Sequence, residues 1–279
     1  MNQEEKLPNN SDDIWPEEKK QLAIQKLWEN KELILSLTLR DIRSRYKQSV
    51  LGVAWAIVQP LAMLFVYTIV FSKIAQIDTG DIPYPVFSYV ALLPWSFFSG
   101  SISSGTECLV GNFNLITKIY FPREVFPISN ILGKIVDFGI GTIVLVPLLI
   151  FYKISITWYA LYAIPILIIQ LCLSFGIVFL LSSWNLFVRD IRHVLPLAVS
   201  VWMYMTPIVY PIDKVPDSLM KFYLINPMVG IMESYRNVVL EGAPPLWGQL
   251  GIAAAVSILF LIIGYRNFKR LEPYFAEAI

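Results

Sequence analysis

The sequence predicts an all-α polytopic membrane protein with six transmembrane helices, an N-terminal amphipathic interfacial helix, and a helical hairpin on the outer side between spans five and six. Three observations carry that expectation. The 279 residues are 56% hydrophobic and only 15% charged, a balance that water-soluble domains of this size rarely reach. Apolar runs of roughly 20 residues, the length that crosses a bilayer core as a helix, lie at 51–72, 86–110, 125–152, 158–184, 194–212 and 246–266. Lys and Arg gather on alternate connections: Arg40, Arg43, Arg45 and Lys47 before the first run, Lys118 and Arg123 after the second, Arg189 and Arg192 after the fourth, Arg266, Lys269 and Arg270 after the sixth. By the positive-inside rule this side, with both termini, faces the cytosol.

Taken in order, residues 1–30 are polar (NNSDDIWPEEKK) and lack the apolar core of a removable signal peptide, so a cytosolic extension is expected. In 31–50, Leu35, Leu39, Ile42 and Tyr46 form one stripe of a helix, with Arg40, Arg43 and Lys47 on the adjoining face. A helix lying in the headgroup plane fits, either as an anchor to membrane lipids or as a basic platform for a phosphorylated substrate. Span two contains SFFSGSISSG, where Ser99 and Ser103, Gly100 and Ser104, and Ser101 and Gly105 stand four apart, the spacing that lets membrane helices approach closely. Glu107, Lys134 and Asp137 are the ionisable residues set deepest in spans. Lys134 and Asp137, three apart, can pair, which favours a structural role over a transport role. Cys108 and Cys172 have no partner spacing and read as inert packing.

After span five, proline and glycine interrupt the chain repeatedly, so no single helix runs through. Asn226 followed by Pro227 is a helix start, and Met228, Ile231, Met232, Tyr235 and Val239 mark an apolar face of about three turns, too short to span. The hairpin at 213–240 is therefore expected to be re-entrant or interfacial. Span six leads into a cytosolic tail at 267–279.

The break NLITKIYFPREVFPIS (114–129) puts charges and aromatics between two apolar runs. Residues 112–123 can form a short helix capped by Asn112 or Asn114 and stopped before Pro122. It would present Phe113, Ile116, Tyr120, Phe121 and Lys118 at the cytosolic surface, a composition that suits protein docking. On spacing alone, an ordinary charged turn is equally good.

RDIRSRYKQSVLGVAWAIVQP (40–60), LLPWSFFSGSI (92–102), NFNLITKIYFPREVFP (112–127), RDI (189–191), TPIVYP (206–211) and INP (225–227) together resemble the membrane subunit of ABC-2 type polysaccharide exporters, the permeases for O-antigen, capsule or teichoic acid. The resemblance covers about 31–270; residues 1–30 receive no role from it. It implies a homodimer in the bacterial inner membrane, working with two copies of a cytosolic ABC nucleotide-binding subunit on a lipid-linked polysaccharide, O-antigen first. It also implies a coupling helix within 112–123, with Thr117, Lys118, Tyr120, Phe121, Pro122, Arg123 and Glu124 as the ATPase-coupling residues. Residues 31–48 would stand near the substrate entrance, and 213–240 would form periplasmic gate helices.

The chain's own contents agree with that division of labour. It has no G-x-x-x-x-G-K-[ST] loop, so ATP and Mg are expected in the partner subunit and no cofactor in this chain. The single histidine, His193, stands beside Arg192 without carboxylates or metal ligands around it in sequence, so no catalytic or metal site is expected. No nucleic-acid partner is expected either. A glycan sliding outward needs weak, register-free contacts, which aromatic rings provide by stacking on sugar C–H faces. Trp55, Tyr67, Tyr89, Trp95, Phe98, Trp202, Tyr204 and Tyr210 are candidates for the channel lining, although Trp and Tyr also belt membrane interfaces, so only a minority should face it. Arg40, Arg43 or Arg45 would receive the substrate diphosphate at its entrance, since guanidinium binds phosphate oxygens bidentately.

Two other classes compete. An integral-membrane polyprenyl-phosphate glycosyltransferase would cluster acids on a loop, whereas Asp78, Asp81, Asp190, Asp213, Asp217, Glu233 and Glu241 are scattered. A passive channel or scaffold would need no ATPase. Within the favoured class, a small-lipid or drug exporter is the nearest alternative.

Overall fold

In a bilayer every backbone polar group must be satisfied within the protein, and apolar runs of this length can do so only as helices. The computed structural model describes residues 28–46, 52–118 and 121–275, and all of their regular structure is helical. In chain order the helices are α1 (Lys31–Tyr46), α2 (Trp55–Tyr67, carried on to Ile74 by π-helical turns), α3 (Tyr84–Thr106) and the short α4 (Cys108–Gly111) and α5 (Phe113–Lys118). There follow α6 (Val125–Phe151), α7 (Ala163–Phe187), α8 (Ile191–Tyr204), α9 (Asp217–Ile225), α10 (Pro227–Arg236) and α11 (Trp247–Leu271).

Five segments among the described residues are long and apolar enough to cross a membrane: Ile57–Ile74, Tyr84–Thr106, Val125–Phe151, Trp158–Phe187 and Trp247–Tyr274. The remaining expected span, 194–212, differs. Its helix α8 has 14 residues and stops at Tyr204, which at about 1.5 Å per residue gives ~21 Å against the ~30 Å of a hydrocarbon core. Pro207 cannot continue it, and Thr206 to Val209 run on as buried, non-helical backbone. Such backbone is tolerated at membrane depth where protein covers it and supplies hydrogen bonds. Here Tyr84 Oη donates to the Val209 carbonyl (2.9 Å) and Arg236 Nη2 to that of Ile208 (2.8 Å).

Helix α3 is the centre of the bundle, buried along most of its length, whereas α2 is almost uncovered by the rest of the chain. The small-residue stretch of α3 does pack closely in part. A Cβ on Gly105 would come within 2.6 Å of Val178 on α7, and Ser104 Oγ donates to Asn130 Oδ1 (3.1 Å) on α6. The closest backbone approach lies elsewhere, between α7 and α11, where Gly176 and Gly264 meet so tightly that a Cβ on Gly264 would overlap the Gly176 carbonyl oxygen.

Two apolar cores result. The larger surrounds α3. The smaller lies at the other end of α11 and gathers Ile34 and Leu37 (α1), Leu109, Ile116, Phe121, Phe126, Phe179, Phe268 and Phe275. Past the expected sixth span, α11 continues to Leu271, and Phe275 beyond it is fully buried. Residues 276–279 lie outside the described ones.

The stripe expected on α1 leaves Leu35 and Leu39 facing away from the bundle, which suits a helix in the headgroup plane. Ile34, Leu37 and Thr38 pack towards α6, while Leu35 and Leu39 are exposed. The helix carries a second periodic face, Ile34, Thr38, Asp41 and Arg45, and that face meets protein. The outward Leu35 and Leu39 suit contact with lipid tails. Residues 47–50 of the expected helix lie outside the described residues, as do 1–27 of the extension. The hairpin is present as α9 and α10. Asn226 caps α10 by accepting from the Met228 N–H (3.1 Å) and also accepts from Trp202 Nε1 (3.0 Å).

Candidate functional site

Three places bring chemistry-bearing residues together: the turn between α3 and α6, a cavity beside the end of α1, and the base of the hairpin. In the turn, α5 is shorter than the expected 112–123, and Tyr120 lies outside the described residues. Asn112 does not cap α5 with its side chain. Its Nδ2 donates to the Cys108 carbonyl (2.8 Å) and its Oδ1 accepts from Arg40 Nη2 (2.7 Å). Of the expected coupling residues, Thr117 and Lys118 are exposed and Pro122 is partly exposed.

Ile116 and Phe121, expected at the cytosolic surface, are buried instead, and Arg123 and Glu124 turn inward beside them. Phe121 is buried against Phe126. Arg123 staples the turn together, Nη1 donating to the Phe121 carbonyl (2.6 Å) and Nη2 to that of Ile116 (3.1 Å). Glu124 is 3% exposed and pairs with Lys269 of α11. Lys269 Nζ also donates to Glu272 (2.8 Å), whose other carboxylate oxygen accepts the Arg123 backbone N–H (3.2 Å). The physical reason is geometric: after Pro122 the Arg123 backbone N–H and the Glu124 side chain face the end of α11, while the Arg123 side chain folds back into the turn. The first two tie the turn to that helix.

The cavity, about 480 Å³, opens between α2, α3 and α6 and is lined by Trp55, Tyr67, Trp95, Arg45, Lys134 and Asp137 among others. Arg45 Nη1 pairs with Asp137, and Lys134 Nζ stands 3.8 Å from the same carboxylate oxygen. Arg45 reaches this place over Gly133, where a Cβ would lie 2.7 Å from Nη2. The i,i+3 pair expected within α6 is therefore half of a three-charge cluster. Its third member comes from 92 residues away.

The other expected site residues fall outside this cavity. Arg40 turns to Asp41 (2.9 Å) and Asn112, and Arg43 is exposed, so the three arginines do not form one platform. Tyr89 and Phe98 are fully buried, Tyr89 donating to the Gly141 carbonyl (3.1 Å) and Phe98 packing edge-to-face on Trp202 at 5.1 Å. These two fill the bundle core and line nothing. Tyr210 Oη bonds the Tyr204 carbonyl (2.7 Å) and shares a hydrogen bond with Tyr223 (2.9 Å), while the Tyr204 ring is exposed on the outside of α8.

Arg236 carries no signal of its own in the sequence, yet the structure buries it at the base of the hairpin. It is 3% exposed. Nη1 donates to Glu233 (2.6 Å), Nη2 to the Ile208 carbonyl, and the guanidinium carbon lies 3.7 Å over the Phe87 ring. Burial pushes the Glu233 carboxyl above the usual carboxylate range, and the Arg236 charge opposes that shift. The i,i+3 spacing of Glu233 and Arg236 was the available signal. Because lysine cannot hold two acceptors and cover a ring from one planar group, Arg236→Lys is expected to cost about 2–3 kcal/mol. A thermal unfolding midpoint equal to wild type would refute this role.

The comparisons with known proteins agree with one another. The ABC-2 type transporter family matches residues 32–240. The O-antigen export system permease protein RfbA of Myxococcus xanthus is 28% identical over 258 residues, covering 92% of this chain and 98% of its own length. A Klebsiella pneumoniae protein of the same name is 30% identical over 251 residues, covering 89% and 95%. The polysialic acid transport protein KpsM of Escherichia coli is 27% identical over 256 residues, covering 87% and 94%. With a bundle of membrane-length helices and a family match across most of its residues, this chain belongs to the ABC-2 type transporter family.

Proposed function

We propose that this chain is the membrane subunit of an exporter of lipid-linked polysaccharide, O-antigen before capsule or teichoic acid. It works in the bacterial inner membrane as a homodimer with two cytosolic ATP-binding subunits, which bind ATP and Mg. Both termini are cytosolic. The observation that carries the substrate class is the cavity, where Trp55, Tyr67 and Trp95 stand beside Arg45 and Lys134. Rings offer sugars weak stacking contacts, and the cations suit a phosphate. A wholly apolar cavity would have pointed to a small-lipid or drug exporter instead. The near-uncovered α2 and the exposed Leu197, Val201 and Tyr204 of α8 leave apolar surface for a second copy and for lipid.

For coupling, the exposed Asn114, Thr117 and Lys118 form the part of the turn that can touch another protein. Closure of the ATPase dimer would push this turn. Arg123 and Glu124 would hand the motion to Lys269 on α11 and to Glu272 just past its end. The same helix packs on α10, where a Cβ on Gly230 would come within 2.6 Å of the Gln249 carbonyl oxygen. A push at the cytosolic end thus has a rigid path to the hairpin.

The test is co-purification with the ATP-binding subunit expressed alongside. Thr117→Arg with Lys118→Glu is expected to abolish association, at least tenfold in recovered ATPase, without changing the thermal midpoint of the permease. Surface charge reversal of this kind acts on binding rather than folding. Undiminished association in that variant would remove α5 from the interface, and absence of any ATPase with the wild type would overturn the transporter reading.

A further inference from the structure

We infer that Arg45, Lys134 and Asp137 form an anion seat in which the Asp137 carboxylate occupies, while the cavity is empty, the place a diphosphate takes when substrate arrives. This deepens the polysaccharide-exporter reading and rests on it. The seat has two cations and one carboxylate, all partly buried at side-chain exposures of 30%, 21% and 26%. Charges partly withdrawn from water favour neutralisation, and one carboxylate cannot neutralise two cations. The excess positive charge faces the cavity that Trp55 and Trp95 also line.

The fit is specific in charge and shape. Arg45 offers a planar fork of donors that suits two phosphate oxygens, and Lys134 a point charge for a third. The carboxylate that holds both now is tethered to α6, so it swings aside and returns without leaving the protein. A ligand must outcompete it. A diphosphate carries enough charge to do so, whereas the single charge of a phosphodiester headgroup gains little over the carboxylate it displaces. Release is helped in the same way, because Asp137 re-forms its pairs as the diphosphate departs. Gly133 leaves the room for this, since a Cβ there would strike Arg45 Nη2.

The experiment measures binding of farnesyl diphosphate to the purified full-length permease in detergent, with farnesyl monophosphate and phosphatidylglycerol as comparison ligands. Arg45→Gln and Lys134→Gln are expected to weaken diphosphate binding by about tenfold or more each, the loss of a charge-assisted hydrogen bond. Lys134→Arg should keep it. Asp137→Asn should tighten it by roughly three- to tenfold by removing the competitor, and should slow export in cells by retarding release. The opposite sign is decisive, because a purely structural cluster would weaken with all three neutral variants. Unchanged or weaker binding in Asp137→Asn, or equal binding of phosphatidylglycerol and diphosphate, overturns the seat. Export of polysaccharide by a wild-type complex that binds no farnesyl diphosphate would sink the seat and leave the exporter reading intact. Diphosphate binding without any export would sink the exporter reading and leave the seat.

Discussion

Gly264→Val abolishes the native bundle: the variant is expected to elute as aggregate, or to melt far below wild type. Even alanine would put its Cβ inside the Gly176 carbonyl oxygen, and a Cβ on Gly176 would strike the backbone at Phe260 and Leu261. A side chain in the way can rotate, but backbone cannot, so α7 and α11 must separate along their whole contact. Overpacking usually costs about 1–3 kcal/mol because side chains give way, and a backbone clash without that escape is expected at or above the top of that range. Membrane helices associate largely through such close packing, with no hydrophobic force to replace it. The control lies on the same helix. A Cβ on Gly251 meets nothing within 4 Å, so Gly251→Ala should leave the midpoint unchanged or raise it slightly, alanine being the better helix former by about 1 kcal/mol. Thermal unfolding monitored by size exclusion separates the two. Equal midpoints for Gly264→Ala and Gly251→Ala would mean that the contact is not what holds the two helices.

Glu124→Ala should break export while the ATP-binding subunit still binds. The carboxylate is almost wholly buried, and one of its oxygens has no hydrogen-bond partner, so its charge rests on Lys269 and a long contact (3.5 Å) from Tyr265 Oη. Removing one member of a buried pair costs about 3–5 kcal/mol. Lys269 keeps Glu272 and is 38% exposed, so the lower end, near 3 kcal/mol, is expected here. The larger effect is mechanical. Without Glu124 the turn loses its ion pair to α11 and keeps the Arg123 N–H bond to Glu272 and the apolar contacts of Ile116 and Phe121, so a push on α5 moves α11 less firmly. ATP hydrolysis by the assembled complex should therefore continue with export reduced at least tenfold. Glu124→Gln with Lys269→Met and Glu272→Gln should recover stability, since no charge is left unpaired, but not export. Normal export in Glu124→Ala would show that the turn drives the bundle by another route.

How far each feature could be read in advance depends on the range over which its cause acts. The five membrane-length segments follow from run length and composition, because a bilayer leaves an apolar chain no alternative to helix. The hairpin follows from Asn226, Pro227 and the repeated prolines, whose restrictions act within a residue or two. The break at 114–129 stood out for the same local reason, a run of charges where an apolar pattern stops. The end of α8 was half legible: Pro207 is a local stop, but that Thr206 to Val209 stay buried as non-helical backbone depends on Arg236 and Tyr84, which bond the Ile208 and Val209 carbonyls from other elements.

The same distinction divides the site residues. Lys134 and Asp137 could be paired on paper because they share a helix; Arg45 could not be added, since its approach depends on how α1 is rotated against α6 and on the space at Gly133. Phe121, Arg123 and Glu124 carry the composition of a docking surface, and only the end of α11 folding back onto them makes them internal. By itself the sequence determined which segments are helical, which prefer lipid and where the chain must turn, since these follow from the chemistry of each residue with its near neighbours and the solvent. Tertiary structure alone decided which charges meet and which rings are covered, because a helix presents several faces of similar composition and only packing against distant segments selects among them.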